Sequence, residues 1–439
     1  MKRYDKYKDS GVQWIGDIPS HWEMVKLKYD FFIYPGATPK TEITDFWDGD
    51  IIWVTPADYK SEDKFIIEGQ RRITKKGYDS CNTQLVPKGS LIFSKRAPIG
   101  TVAISGNELC TNQGCLSCVP KNVNTLFFYY ITSVFSKEFE LLGSGATFKE
   151  ISASDFSNVK LTFPPLAEQK AIAQWLDAKC GKIDKLIATQ QHRIELLQEL
   201  RLNIITRAVT RGINPSVPLR DSEIEWIGLI PEHWEIQKMG VVSSIITDFV
   251  ASGSFADLRK NVEYLADPDY AMLVRTADLS NKNKDIARVY ISKDTYNFLS
   301  NSNLFGGEIV LPNVGSIGDA YLVPKDLYEK MSLAPNSIMI RTKYIDNYFY
   351  YFFSSITGKQ SLKLLASSTA MGKFNKTEFR QLRVPVPPEL EQQEIVSYIE
   401  RETAKVDAAI EKAERQITLL QELRQSVITE VVTGKRKVC

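Results

Sequence analysis

Apolar side chains recur at intervals of three, four and seven along two long stretches of this chain. From Glu168 to Thr210 they are Ile172, Leu176, Ile183, Ile187, Ile194, Leu197, Ile204 and Ala208; in the second stretch they are Ile395, Ile399, Val406, Ile410, Ile417, Leu420, Val427 and Val431. This is the spacing of one face of an α-helix. At ~1.5 Å per residue each helix reaches about 60 Å if unbroken. Gly181 is the expected interruption in the first, because glycine costs roughly 1 kcal/mol in a helix interior. Two such stripes in one chain have an evident use, which is to pack along each other as a coiled coil. The expected seam joins Ile172, Leu176, Ile183, Ile187, Ile194 and Leu197 with Ile395, Ile399, Val406, Ile410, Ile417 and Leu420.

Outside these stretches the pattern shortens. The apolar runs LIF (Leu91 to Phe93) and EIV (Glu308 to Val310), with LSCV and SIMI further on, read as buried strands bounded by turn residues. LFFYYITSVFSKEFELL (Leu126 to Leu142) and YFYYFFSSITGKQSLKLL (Tyr348 to Leu365) each have the length of a helix. The two regions between the long helices and the heads that precede them therefore read as compact mixed α/β domains.

These elements occur in pairs because the chain repeats. WIGDIPSHWE (Trp14 to Glu23) returns as WIGLIPEHWE (Trp226 to Glu235), PPLAEQKAI (Pro164 to Ile172) as PPELEQQEI (Pro387 to Ile395), and LLQELR occurs identically at Leu196 to Arg201 and Leu419 to Arg424. Fainter echoes pair KGSLIFSKRAPIG (Lys88 to Gly100) with GGEIVLPNVGSIG (Gly306 to Gly318), and WVTPADY (Trp53 to Tyr59) with LVRTADL (Leu273 to Leu279). Well-matched ends around divergent interiors mark a duplication. The expected fold is a duplicated α/β domain separated by two long helices, with boundaries at 1–163, 164–212, 213–386 and 387–435.

Composition narrows the function only by exclusion. A formal charge of +2 and a pI near 8.0 neither demand nor exclude nucleic acid, since binding follows clustering of Lys and Arg. No apolar span is long enough for a membrane helix, and the charged start MKRYDKYKDSG lacks the apolar core of a secretory signal, so a cytoplasmic protein is expected. Six cysteines in a chain of 439 residues do not read as a disulfide framework.

Catalytic motifs are missing. Of three histidines, His21 and His233 stand at equivalent places beside tryptophan in the repeated head, where a clasp between domain and helices is the favoured role, and His192 lies on the polar part of a helix. Cys110, Cys115 and Cys118 match part of an iron–sulfur spacing, but alternation along a buried strand explains the last two and the second copy has no cysteine there. No GK pair is preceded by the glycine of a phosphate-binding loop, and DPDY (Asp267 to Tyr270) has no cofactor loop ahead of it.

What remains is surface chemistry. Basic residues gather in RRITKK, SKRAP, LRK and MGKFNK among Tyr, Phe, Asn and Thr; Arg and Asn pair with base edges and Lys neutralises phosphates. One such cluster alone is a solvated face, while recurrence in both copies near glycine-rich loops favours nucleic acid. The candidate DNA contacts are Thr38, Lys40, Arg71, Arg72, Lys95, Arg96 and Lys149 in the first interior, and Arg259, Lys260, Arg275, Asn313, Lys373 and Asn375 in the second.

The head YDKYKDSGVQWIGDIPSHWEMVKLK, the stretch GATPKTEITDFWDGDIIWVTPADY, TNQG at Thr111 to Gly114, and the helix starts LTFPPLAEQKAIAQWLD and VPVPPELEQQEIVSYIE resemble the specificity subunit of type I restriction-modification enzymes. The resemblance covers essentially the whole chain. It implies two target recognition domains, each reading one half of a split double-stranded DNA sequence, and an antiparallel coiled coil between them. It also implies partners: two modification subunits that carry S-adenosylmethionine and methylate an adenine in each half-site, and restriction subunits with an ATP- and Mg-dependent motor and nuclease. The chain itself would hold no cofactor or metal and catalyse nothing. The second interior departs from the pattern, with TDFVASGSF (Thr247 to Phe255) and LAPNS (Leu333 to Ser337) where the first has GATP and TNQG. The alternatives are a stand-alone sequence-specific DNA-binding protein and the recognition part of a fused methyltransferase or endonuclease.

Overall fold

The computed structural model describes residues 2–60, 63–144, 149–280, 286–367 and 372–438. The chain forms two compact units, one built from residues 1–191 and 415–439 and the other from 192–414. Both long helices are divided between the units. The first is continuous from Leu166 to Arg211 and the second from Glu389 to Val432. Gly181 does not interrupt the first helix. Cys180 and Ile183, on either side, are buried, and this anchorage outweighs a glycine penalty of roughly 1 kcal/mol.

In the first unit the opening of the first helix runs antiparallel to the end of the second: Ile172, Leu176 and Cys180 share a core with Val431, Ile428 and Val427, and Arg424 Nε donates to Asp184 Oδ1 at 2.9 Å. In the second unit Ile205 and Val209 share a core with Ile399 and Ile395, and Arg201 Nε donates to Asp407 Oδ1 at 2.8 Å. The repeated LLQELR thus supplies the same Arg to the same ion pair in each unit. Ile172, Leu176, Ile395 and Ile399 lie in the main cores of their units, Ile183 and Val406 are buried, and Ile187, Ile194, Leu197, Ile410, Ile417 and Leu420 are half-buried.

The repeated head is a clasp on the helix start. Its hairpin (Tyr7–Asp9 with Asp17–Pro19, and Leu219–Asp221 with Leu229–Pro231) turns through Gly16 and Gly228, whose φ values of 71° and 70° suit glycine. In the first unit the fully buried Trp22 donates its indole N–H to Glu168 Oε2 at 2.8 Å, and His21 Nε2 lies 2.8 Å from Glu168 Oε1. In the second, His233 Nε2 lies 2.7 Å from Glu391 Oε2. The next residue of the motif ties two further elements. Gln169 donates to the Pro164 carbonyl and accepts from Asn124 N–H, both at 2.9 Å, and Gln392 does the same with Pro387 and Ile345 at 2.8 and 3.3 Å. PP…EQ is therefore architectural: Glu holds the head and Gln holds the start of an aromatic helix.

Each aromatic segment, expected as one helix, is two. Thr125–Val134 and Ser136–Leu142 break at Phe135, whose buried ring packs 4.4 Å from Trp14. Asp346–Ser354 and Ile356–Ser367 break at Ser355, which turns extended and accepts from Gly358 N–H through its hydroxyl.

The interiors share a topology that their residues barely share. The first has a sheet in the order Phe31–Pro35, Cys115–Pro120, Leu91–Ser94, Val102–Ser105, Phe65–Ile66; the second repeats its first four members as Ser243–Asp248, Ser337–Thr342, Ile309–Pro312, Tyr321–Leu322. A smaller sheet pairs Trp47–Val54 with Cys110–Thr111 in parallel and Arg71–Ile73 antiparallel. Its counterpart pairs Ala271–Val274 with Met331–Leu333 in parallel and Tyr290–Ile291 antiparallel. Cys110, Cys115 and Cys118 are all buried but belong to three different apolar clusters, and burial pushes the Cys110 and Cys115 thiols up to about 12. Their sulfurs are packing groups. Cys439 lies outside the described residues. No helix among the described residues is long and apolar enough to cross a membrane.

Candidate nucleic-acid interface

Four motifs singled out from the sequence converge at one end of the first interior. Gly36 of GATP approaches TNQG so closely that a Cβ there would strike the Thr111 and Asn112 carbonyl oxygens. Gly36 and Ala37 N–H donate to the Cys115 and Thr111 carbonyls at 3.2 and 3.0 Å, and the Thr38 hydroxyl donates to the Gln113 side-chain oxygen. Asn112 N–H reaches the Val54 carbonyl at 2.9 Å, Trp53 donates its indole N–H to Ala37 at 3.0 Å, and Lys95 N–H reaches Gly114 at 2.9 Å. In TPADY, Asp58 accepts from Thr55 N–H at 2.6 Å and from Gln70 N–H at 2.8 Å, clamping the turn that follows the strand. The loops after four strand ends are thus one hydrogen-bonded knot. Its side chains are held on rigid backbone.

The second interior repeats part of this knot with other residues. Ala334 N–H donates to the Val274 carbonyl at 2.9 Å, where Asn112 meets Val54, and Asn313 N–H donates to Asn336 at 3.1 Å, where Lys95 meets Gly114. Asp278 takes the place of Asp58, accepting from Arg275 N–H at 2.8 Å. This explains the shared AD of WVTPADY and LVRTADL: the Asp closes a turn.

The candidate side chains differ in what they are free to do. Lys95 and Arg96 both hold Glu150 at 2.7 Å. Partial burial works upward on this carboxyl, but the hydrogen bonds and charges of the two cations outweigh it and hold Glu150 below the ordinary carboxylate range. Arg71 stacks 3.5 Å from the Trp47 ring, and Arg72 pairs with Glu68 at 2.7 Å. Thr38 touches Gln113, while Lys40 and Lys149 are exposed. In the second interior Arg275 forms a two-pronged pair with Asp278 at 2.8 and 2.9 Å, which raises the guanidinium pKa, and donates to the Ala287 carbonyl at 2.7 Å. Asn375 accepts from Thr377 and Glu378 N–H as the cap of helix Lys376–Gln381. Asn313 donates to the Phe374 carbonyl at 3.1 Å. Arg259, Asn313, Lys373 and Asn375 line one cavity, Arg275 lines a second, and Lys260 is exposed beside Arg259. The structure therefore gathers Thr38, Lys95 and Arg96 at the first knot and Arg275 and Asn313 at the second, with Arg71 and Arg72 on the smaller sheet. Sequence reasoning missed Gln113, Asn336, Phe255 and Val314 as members of these surfaces. Gln113 stood in the quoted TNQG, Asn336 in LAPNS, Phe255 in TDFVASGSF and Val314 in GGEIVLPNVGSIG, but none was singled out until the loops were assembled.

A duplicated α/β domain protein, each copy clasped to an antiparallel pair of long helices and ending in a knot of loops, is the class that this fold defines. The family model described as the type I restriction modification DNA specificity domain matches residues 19–198 and 231–419, and the chain belongs to that family. It is 33% identical over 254 residues to the MjaIX type I restriction enzyme specificity subunit of Methanocaldococcus jannaschii, covering 56% of each chain. It is 32% identical over 205 residues to the putative MjaX specificity subunit of the same organism, covering 45% of each. The chain thus spans about half the length of these relatives. The EcoKI specificity subunit of Escherichia coli is 22% identical over an alignment of 447 positions that covers 96% of this chain and 90% of that one. Among solved structures, one from work on complex assembly and conformational transition of the type I R-M system has a TM-score of 0.69 at 14% identity, covering 94% of this chain and 98% of the other. The HsdS subunit from Thermoanaerobacter tengcongensis has a TM-score of 0.52 at 14% identity, covering 95% and 98%.

Proposed function

We propose that the chain is the non-catalytic DNA-specificity subunit of a type I restriction-modification complex, with residues 1–163 and 213–386 as two target recognition domains and 164–212 and 387–435 as the helices between them. The observation that carries this reading is the loop knot that recurs in the second interior, where two backbone bonds and the Asp-closed turn are kept and the side chains differ. A duplicated enzyme keeps its reacting groups; a duplicated reader of two different half-sites keeps the scaffold and changes the surface. One chain then presents two unlike readers to duplex DNA, as a symmetric dimer presents two like ones. The Lys and Arg candidates supply phosphate contacts and the loops supply base contacts. The helices set the gap between half-sites and dock two modification subunits. S-adenosylmethionine belongs to those subunits and ATP and Mg to the restriction subunits, in a cytoplasmic complex.

Exchange of residues 25–163 for the same region of a relative tests the reading. With modification subunits present, sequencing of methylated adenines should show one half of the target changed and the other intact. A change in both halves, or methyl transfer by this chain without its partners, would refute it.

A further inference from the structure

The two knots share two backbone bonds and an Asp-closed turn and differ in surface chemistry. Where the first presents Lys95, Arg96 and Gln113, the second presents Asn313, Val314 and Pro335 at the matching positions, with Val250 beside them. These residues line a cavity of about 600 Å³ together with Phe255. Phe255 is 82% exposed and Val314 43%, so the apolar surface is open. Val314, Pro335 and Asn336 also line the adjoining cavity of about 440 Å³ that holds Arg275. Arg259 and Lys373 belong to the lining of the larger cavity, so an apolar floor is accompanied by cations. Water is a poor occupant for such a floor, and a neutral apolar ligand has no use for the cations.

We infer that the second domain reads its half-site through the 5-methyl group of thymine, seated in the major groove against Val314 and Phe255, while Arg259 and Lys373 meet the flanking phosphates. This deepens the specificity reading and rests on it. Thymine is the base whose major-groove edge carries a methyl group, and cations beside an apolar site suit a polyanion carrying a small apolar group. In the first knot the corresponding described positions, Arg96 and Gln113, are charged and polar.

The test uses the complete complex of this chain with its modification subunits and a target mapped by its methylated adenines. Deoxyuridine replaces thymine one position at a time in each half-site, which removes a methyl group and leaves every hydrogen-bonding group in place. At one position or more in the second half-site, affinity should fall about fourfold, the value of one buried methyl group, and no position in the first half should respond. Val314→Ala and Phe255→Ala, both at exposed positions whose loss leaves the core intact, should bind the deoxyuridine and thymine duplexes alike. Normal methylation with no response to deoxyuridine in the second half, or a response in the first half alone, would overturn this inference and leave the specificity reading standing. Failure to methylate any mapped target would overturn both.

Discussion

Replacing Leu196 and Leu200 together by alanine should release one modification subunit and spare the other. In the second unit these side chains are 52% and 48% exposed on the first long helix, and their repeats in the first unit, Leu419 and Leu423, are 57% and 46% exposed on the second. Two matched pairs of open leucines, one pair per unit, suit two copies of one partner. Burying a leucine completely stabilises by about 1.5–3 kcal/mol, and each has roughly half its surface left to lose, so each contributes about 1 kcal/mol to docking. Losing about 2 kcal/mol weakens binding by ten- to thirtyfold, at 1.4 kcal/mol per tenfold. The helix itself should not suffer, because neither residue is in a core and alanine is the best helix former. Calorimetric titration of the full chain with its modification subunit, with native mass spectrometry for stoichiometry, reads the effect: two equivalent sites in the parent, one weakened in either double variant, both weakened when all four are replaced. Two tight sites in the fourfold variant would refute the assignment of these helix faces.

Gln169→Ala should loosen the first unit by about 2–6 kcal/mol, since Asn124 N–H and the Pro164 carbonyl each lose a buried partner at about 1–3 kcal/mol; amide hydrogen exchange in Thr125–Val134 should quicken, and unchanged protection there would contradict the role given to this residue. Four residues inserted after Ala188 should lengthen the first helix by ~6 Å and, with DNA rising ~3.4 Å per base pair, lengthen the preferred gap by one or two base pairs with both half-sites unchanged. Methylation of the original gap alone by a folded, partner-bound variant would show that the helices do not set the spacing.

The long helices, the duplication and the family were legible in the residues because each rests on local or repeated signals. A stripe such as Ile172, Leu176, Ile183 needs only the helical period, and WIG…IP…HW, PP…EQ and LLQELR match themselves without reference to a fold. Even there the reasons lay elsewhere: only assembly of the chain shows that Gln169 bonds the start of the aromatic helix, that Arg201 and Arg424 close the same ion pair in each unit, and that Gly181 lies between two anchored residues. The breaks at Phe135 and Ser355 were hidden because a long aromatic run satisfies a helical pattern on either side of the residue that leaves it, Phe135 for the distant Trp14 ring and Ser355 to cap the helix that follows. The recognition surface was least legible. Arg96, Asn375 and Arg275 look alike in sequence as polar groups in loops, yet one shares Glu150 with Lys95, one caps a helix, and one is gripped by Asp278. Val314 and Phe255 were not among the candidates and stand open at the cavity. Hydrophobic periodicity records which face of an element is buried; which loops meet at the end of a sheet, and what their side chains then have left to offer, depends on contacts between distant segments, which are decided by the tertiary structure.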